Sequence, residues 1–233
     1  MTVLSDIRRH WILRQIQAGE PTTLEWRQKG GTIHYVGTHP IHIREVKDGK
    51  YLFIHGGPTR PCFTVELFPN QRHAILQGIQ RGTTCFADNH PESRDLVRAA
   101  AAVARQRGML TMELTDNSKL LCPQRVTLSD LSFLTTGQTW YESILPNLTA
   151  TDAPMLEIHR VRVRSNTWRI VGEGLPMFNS RGIDVDAPGS AMTVLARAKE
   201  NRQQCADLAV HMGQLLFQSG IYSLYGHHWI CRL

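Results

Sequence analysis

The chain has 233 residues, 42% of them hydrophobic and 20% charged, which is enough for a sizeable core and excludes wholesale disorder. Its formal net charge is +6, and no apolar run approaches the roughly 18 residues that a membrane helix needs. The basic excess sits at both ends: residues 1–60 carry 9 basic and 5 acidic side chains, and residues 155–233 carry 9 and 6. That pattern permits nucleic acid or another anion as a partner without requiring one.

The first segment, "MTVLSDIRRHWILRQ", is charged too early for a secretory signal. The expected location is therefore intracellular, in the cytoplasm or nucleus, or in a virion. Five widely spaced cysteines (62, 85, 122, 205 and 231) are then read as reduced thiols. Residues 6–18 have the spacing of a short amphipathic helix, with Ser5 as cap and Gly19 and Pro21 as stops. Five strand-like pieces follow, "TIHYVG", "IHIREV", "KYLFIHG", "CFTVELF" and "HAILQGI". Asp48-Gly49 marks a hairpin between the second and third, and Phe68-Pro69-Asn70 marks a turn between the last two. The region reads as an antiparallel meander.

The alanine-rich stretch 92–107 predicts a helix that stops at Gly108, and "MLTMEL" resumes an extended pattern. Asp116-Asn117-Ser118 then closes the strand. It is a good turn sequence, because each side chain can bond nearby backbone. Trp140 and Tyr141 follow a Thr-Gly-Gln-Thr turn and fit aromatics at the core and its rim. Beyond 150, "MLEIHRVRVRSNTWRIV" alternates and predicts a strand or hairpin. The loop 172–189 holds four glycines and two prolines. A long helix over about 191–218, capped by Ser190 and ended by Gly220, precedes an aromatic tail expected to pack as a final strand with Trp229 buried. The order of elements predicts an α+β fold of mixed α/β layers in a single domain, with a core over about 31–146 and an extension over 151–233.

The meander, the helix "RDLVRAAAAVARQR", the strand "GMLTMELTD" and the later "GQTWYESI" resemble the GNAT superfamily of acyltransferases over about residues 31–146. The same stretch is similar to uncharacterised proteins of large DNA viruses that carry a Leu-Thr-Asp … Gly-x-Thr-Trp-Tyr pattern. The resemblance implies an acyl-CoA-dependent N-acyltransferase using acetyl-CoA. Tyr141 would be the general acid, Asp116 and Ser118 would line the substrate cleft, and Gln80, Arg81 and Gly82 would meet the cofactor pyrophosphate. Such a loop works because glycines let backbone N–H groups approach phosphate at a helix N-terminus. Here "LQGIQRGTTCFADNHPESRD" spaces those residues differently, with a proline and acidic residues before the helix. The alternative is a non-catalytic structural or interaction protein with protein partners or self-association, a virus-particle component or a basic protein associated with nucleic acid.

Three further patterns carry chemistry. Arg160, Arg162 and Arg164 would form a period-2 row on one strand face, able to track phosphates, to dock a partner or simply to face solvent. His227, His228 and Cys231 are zinc-capable, with His39 and His42 the only comparable pair, but the spacing lacks a regular second ligand pair, and no metal is expected. No Walker loop, dinucleotide glycine motif or His-Glu-x-x-His is present.

Overall fold

The computed structural model describes residues 32–36, 39–48, 51–57, 61–79, 85, 93–121 and 125–233. The predicted helix over 6–18 lies outside these, as do Gln80, Arg81 and Gly82. The described chain is α+β, with mostly antiparallel strands and six α-helices. It divides into two compact units, 1–112 with Leu233, and 113–232.

The first unit is built on the predicted meander. Strands β1 (Thr32–Val36), β2 (His39–Asp48), β3 (Tyr51–Gly56), β4 (Phe63–Phe68) and β5 (His73–Ile79) pair antiparallel in chain order. Period-2 alternation puts Ile43, Ile54, Phe63, Val65, Leu67, Ala74 and Leu76 in the core. Asp48 pairs directly with Tyr51, as a two-residue hairpin demands. Gly56 is opposite Phe63, and a Cβ there would meet the Phe63 ring at 2.2 Å, so only glycine fits. The Phe68-Pro69-Asn70 turn forms as a single 3₁₀ turn over Pro69–Gln71. It ends on Arg72 at φ 49°, whose carbonyl accepts the Leu110 N–H at 2.7 Å.

Helix α1 (Ser93–Gln106) buries Leu96, Val97, Ala100, Val103 and Ala104 and packs against β1, β4 and β5. It closes as a Schellman motif: Gly108, at φ 80°, donates to Arg105, and Met109 donates to Ala104.

The cysteine reading is corrected here. Cys62 and Cys85 form a disulfide across 23 residues, and Cys205 is also disulfide-bonded. Cys231 is buried, its thiol donating to the Arg232 carbonyl at 3.4 Å. Sequence spacing was a poor guide for Cys62, because the β4–β5 pairing sets Phe63 opposite Ile79 and returns the chain toward it.

Strand β6 (Thr111–Thr115) ends at Asp116, and the second unit runs on from it. A two-stranded ribbon, β7 (Lys119–Leu121) with β8 (Arg125–Thr127), leads into α2 (Leu128–Thr136). After β9 (Leu148–Ala150) come α3 (Ala153–Ser165), α4 (Trp168–Val171), α5 (Ser190–Glu200) and α6 (Arg202–Gln218), then β10 (His228–Arg232). The strand order here is β6-β10-β9, with Trp229 opposite Ala150. Leu131, Phe133, Val194, Leu195, Leu208 and Leu215 fill the helical core.

Two sequence expectations are overturned here. The segment 155–171 is two helices separated by extended Asn166 and Thr167, not a strand or hairpin. Its buried residues Leu156, His159 and Val163 follow a helical spacing, and the Arg-Val alternation is superimposed on it: Val163 is buried while Val161 is 59% exposed. The helix expected over 191–218 is two helices. Asn201 breaks it by adopting an extended conformation and accepting the N–H groups of Gln203 and Gln204 at 3.0 and 3.1 Å. Ser190 is not the cap. Gly189 occupies that position at φ 77°, and the Ser190 hydroxyl accepts the Trp168 N–H at 2.7 Å. The tail is a strand only over its last part, with Trp229 fully buried as expected; residues 221–227 turn, aided by Gly226 at φ 80°.

Candidate functional site

Of the residues expected to carry chemistry, Asp116, Ser118 and Tyr141 lie in the second unit. Asp116 stands where β6 stops and is fully buried. Its Oδ1 accepts both the Ser118 N–H, at 3.1 Å, and the Ser118 hydroxyl, which makes the Asp-Asn-Ser stretch a closed turn. Its backbone N–H donates to His227 at 2.9 Å, and its carbonyl accepts from Gly226 at 2.7 Å. Its Oδ2 is buried with no hydrogen-bond partner. Burial pushes the Asp116 carboxyl up to about 6, opposed by the Ser118 bonds and the neighbouring His227 and reinforced by Asp130.

Tyr141 is 6% exposed. Burial, followed by the charge of Asp116, pushes its phenol above the usual range. The Thr-Trp-Tyr-Glu stretch is a capping box. The Thr139 N–H donates to Glu142 Oε2 at 2.8 Å, and the Glu142 N–H donates to Thr139 Oγ1 at 3.3 Å. This reciprocal pair fixes the turn that presents Trp140 and Tyr141, whose rings meet edge-on at 4.9 Å.

The three arginines do not form a row. On a helix, positions 160 and 164 share a side while 162 lies elsewhere. Arg160 donates to the Gly137 carbonyl at 2.9 Å and to Glu142 Oε1 at 2.8 Å, so it braces the capping box. Arg162 donates to the Gly220 carbonyl at 2.6 Å. The Arg164 side chain lies over Gly137 beside that of Arg160.

Three further residues surround the tail, and Tyr222 of the tail meets two of them. Asp130, 1% exposed, accepts from the Leu224 N–H at 2.6 Å, the Ser223 hydroxyl at 2.8 Å and the Thr127 hydroxyl at 2.6 Å. Asp152 precedes α3 and accepts the Tyr222 hydroxyl, and its other oxygen lies 3.4 Å from His227 Nδ1. The Tyr222 ring stacks on His227 at 5.2 Å and meets His159 edge-on at 4.2 Å. Burial, the Asp152 hydrogen bond and its charge push the Tyr222 phenol up to about 12. His159 is 3% exposed, and neither ring nitrogen has a hydrogen-bond partner. Burial and then Arg162 hold its imidazole below the usual range.

The structure thus puts Asp116 against Ser118 and against His227, which sequence reading weighed only for zinc, with Tyr141 near enough to feel the charge of Asp116. His228 and Cys231 fall on opposite sides of β10, and among the described residues no three His, Cys, Asp or Glu side chains converge as a metal-holding group. Asp130, Asp152, His159 and Tyr222 were missed. Thr127-x-x-Asp130 carries a helix-start signature that could have marked Asp130. Asp152 and His159, seven residues apart, share a side only on a helix, so the strand reading hid them. No protein-family model, curated protein or solved structure matches the chain.

Proposed function

We propose that this chain is a non-catalytic structural or interaction protein that associates with copies of itself. The observation that carries this reading is an apolar ridge along α3. Met155, Ile158 and Val161 follow at intervals of three residues and are 45%, 46% and 59% exposed. Exposed apolar side chains grouped on one helix side mark contact surfaces, whereas scattered ones carry no meaning. The use of Asp116, Asp130 and Arg160 to hold backbone supports the same reading, since these groups are engaged inside the molecule. Light scattering across micromolar concentrations tests it. Wild type should form a dimer or larger species, and Ile158→Glu with Val161→Glu should shift it toward monomer. A monomeric wild type throughout that range contradicts the reading.

One observation favours a second reading, an acyl-CoA-dependent acyltransferase with Asp116, Ser118 and Tyr141 as its chemical groups. A buried carboxyl titrating at about 6 with an unpartnered oxygen is the kind of group that acid–base chemistry uses. Acetyl-CoA would then raise the melting temperature, as any ligand specific to the folded state does. No shift at millimolar acetyl-CoA removes this reading.

A further inference from the structure

The charge of α3 is divided along its length. Its one acidic residue, Glu157, stands in the N-terminal half, and Arg160, Arg162 and Arg164 fill the C-terminal half. Two of these arginines are engaged inside the molecule, Arg160 on Glu142 and the Gly137 carbonyl and Arg162 on the Gly220 carbonyl. Arg164 is exposed and forms no ion pair among the described residues. The Glu157 side chain is 60% exposed and lies 3.2 Å from Arg160, one turn away. Glu157 and Arg164 are seven residues, or about two turns, apart, so both stand on one flank of the ridge of Met155, Ile158 and Val161.

We propose that α3 pairs antiparallel with α3 of a second copy, about a two-fold axis between Ile158 and Val161, with Glu157 of each chain beside Arg164 of the other. The inference rests on the self-association proposed above and fixes its geometry as a closed dimer. A two-fold interface uses one self-complementary patch on both chains, so it closes at two. An axis between positions 158 and 161 sets Ile158 against Val161 twice, and on the flank it sets position 157 against 164 twice. A parallel pair would bury the same ridge but bring the arginine halves side by side and glutamate against glutamate, which costs repulsion. Antiparallel helix dipoles also oppose their unlike ends. The apolar ridge thus drives association, and the charge pattern sets its direction.

The same charge pattern argues against a nucleic-acid backbone as the occupant of this face. Phosphate tracking needs a run of available cations. Here Arg160 and Arg162 are engaged with groups of their own chain, a carboxylate shares the flank with Arg164, and the side chains between are apolar.

Sedimentation equilibrium of wild type, Glu157→Arg, Arg164→Glu and the double variant tests the arrangement. Wild type should stop at the dimer. Each single reversal turns two attractions into two repulsions and should raise the dissociation constant about tenfold, an effect that about 1 M salt should largely erase. The double variant restores opposite charges across the axis and should return to near the wild-type value. It does not restore the contact of Glu157 with Arg160, so recovery can come only from the second copy. A wild type that stays monomeric removes the self-association reading and this inference with it. If wild type associates and Ile158→Glu with Val161→Glu dissociates it, self-association stands. The antiparallel pair is then overturned by single reversals without effect, by a double variant as weak as the singles, or by growth beyond the dimer.

Discussion

Thr139 and Glu142 show how a residue pair that looks like a signature acts as a fastener. Both exchange side-chain and backbone hydrogen bonds, and Arg160 braces Glu142 from α3. Thr139→Ala should cost about 1 kcal/mol, read from the urea midpoint, because a cap bond is lost at a buried position. Asp116 gives a pH prediction with a definite sign. Its carboxyl titrates higher in the folded chain than in the unfolded one, so its contribution is greatest below the ordinary carboxylate range and is lost as pH rises through about 6. Replacing it with Asn should remove that loss, on the order of 2 kcal/mol between pH 4.5 and 7.5. Comparing urea unfolding of both proteins at those two pH values measures it. An unchanged pH slope would mean that Asp116 is not the buried acid described.

At the level of elements, the disulfide and the break in the last helices are the two features that a substitution can isolate. Closing a loop of 23 residues, Cys62–Cys85 should stabilise the first unit by about 3 kcal/mol, lost in Cys62→Ser with Cys85→Ser. Asn201→Ala should cost about 1 kcal/mol, since Gln203 and Gln204 lose their acceptor. A substitution that raises stability would instead show that the break is imposed by packing. What the sequence made legible follows from period and punctuation. The meander could be read because alternation, Asp48-Gly49 and Phe68-Pro69-Asn70 agree, and α1 because its alanines and Gly108 agree. Helix α3 could not, because arginine and valine alternate at 160–164 while the residues that decide burial, Leu156, His159 and Val163, recur at helical spacing. The split at Asn201 was hidden because a single cap residue within a good helical pattern reads as tolerated polarity.

For the whole molecule, the polar cluster was the least legible feature because its members come from positions 116 to 228 and meet only after the tail turns back. Asp116 could be singled out from its strand end, but its partners Asp130 and His227 could not be assigned to it from spacing. The same tertiary arrangement leaves Met155, Ile158 and Val161 outside the core, and self-association through this ridge is the central claim. Hydroxyl-radical footprinting at low and high protein concentration tests it most directly, since methionine side chains oxidise readily when exposed. Modification of Met155, Ile158 and Val161 should fall severalfold at the concentration where light scattering reports association, while exposed Phe217 on α6 should stay equally reactive. Association without protection of the ridge, or protection centred on Phe217 instead, would contradict the account.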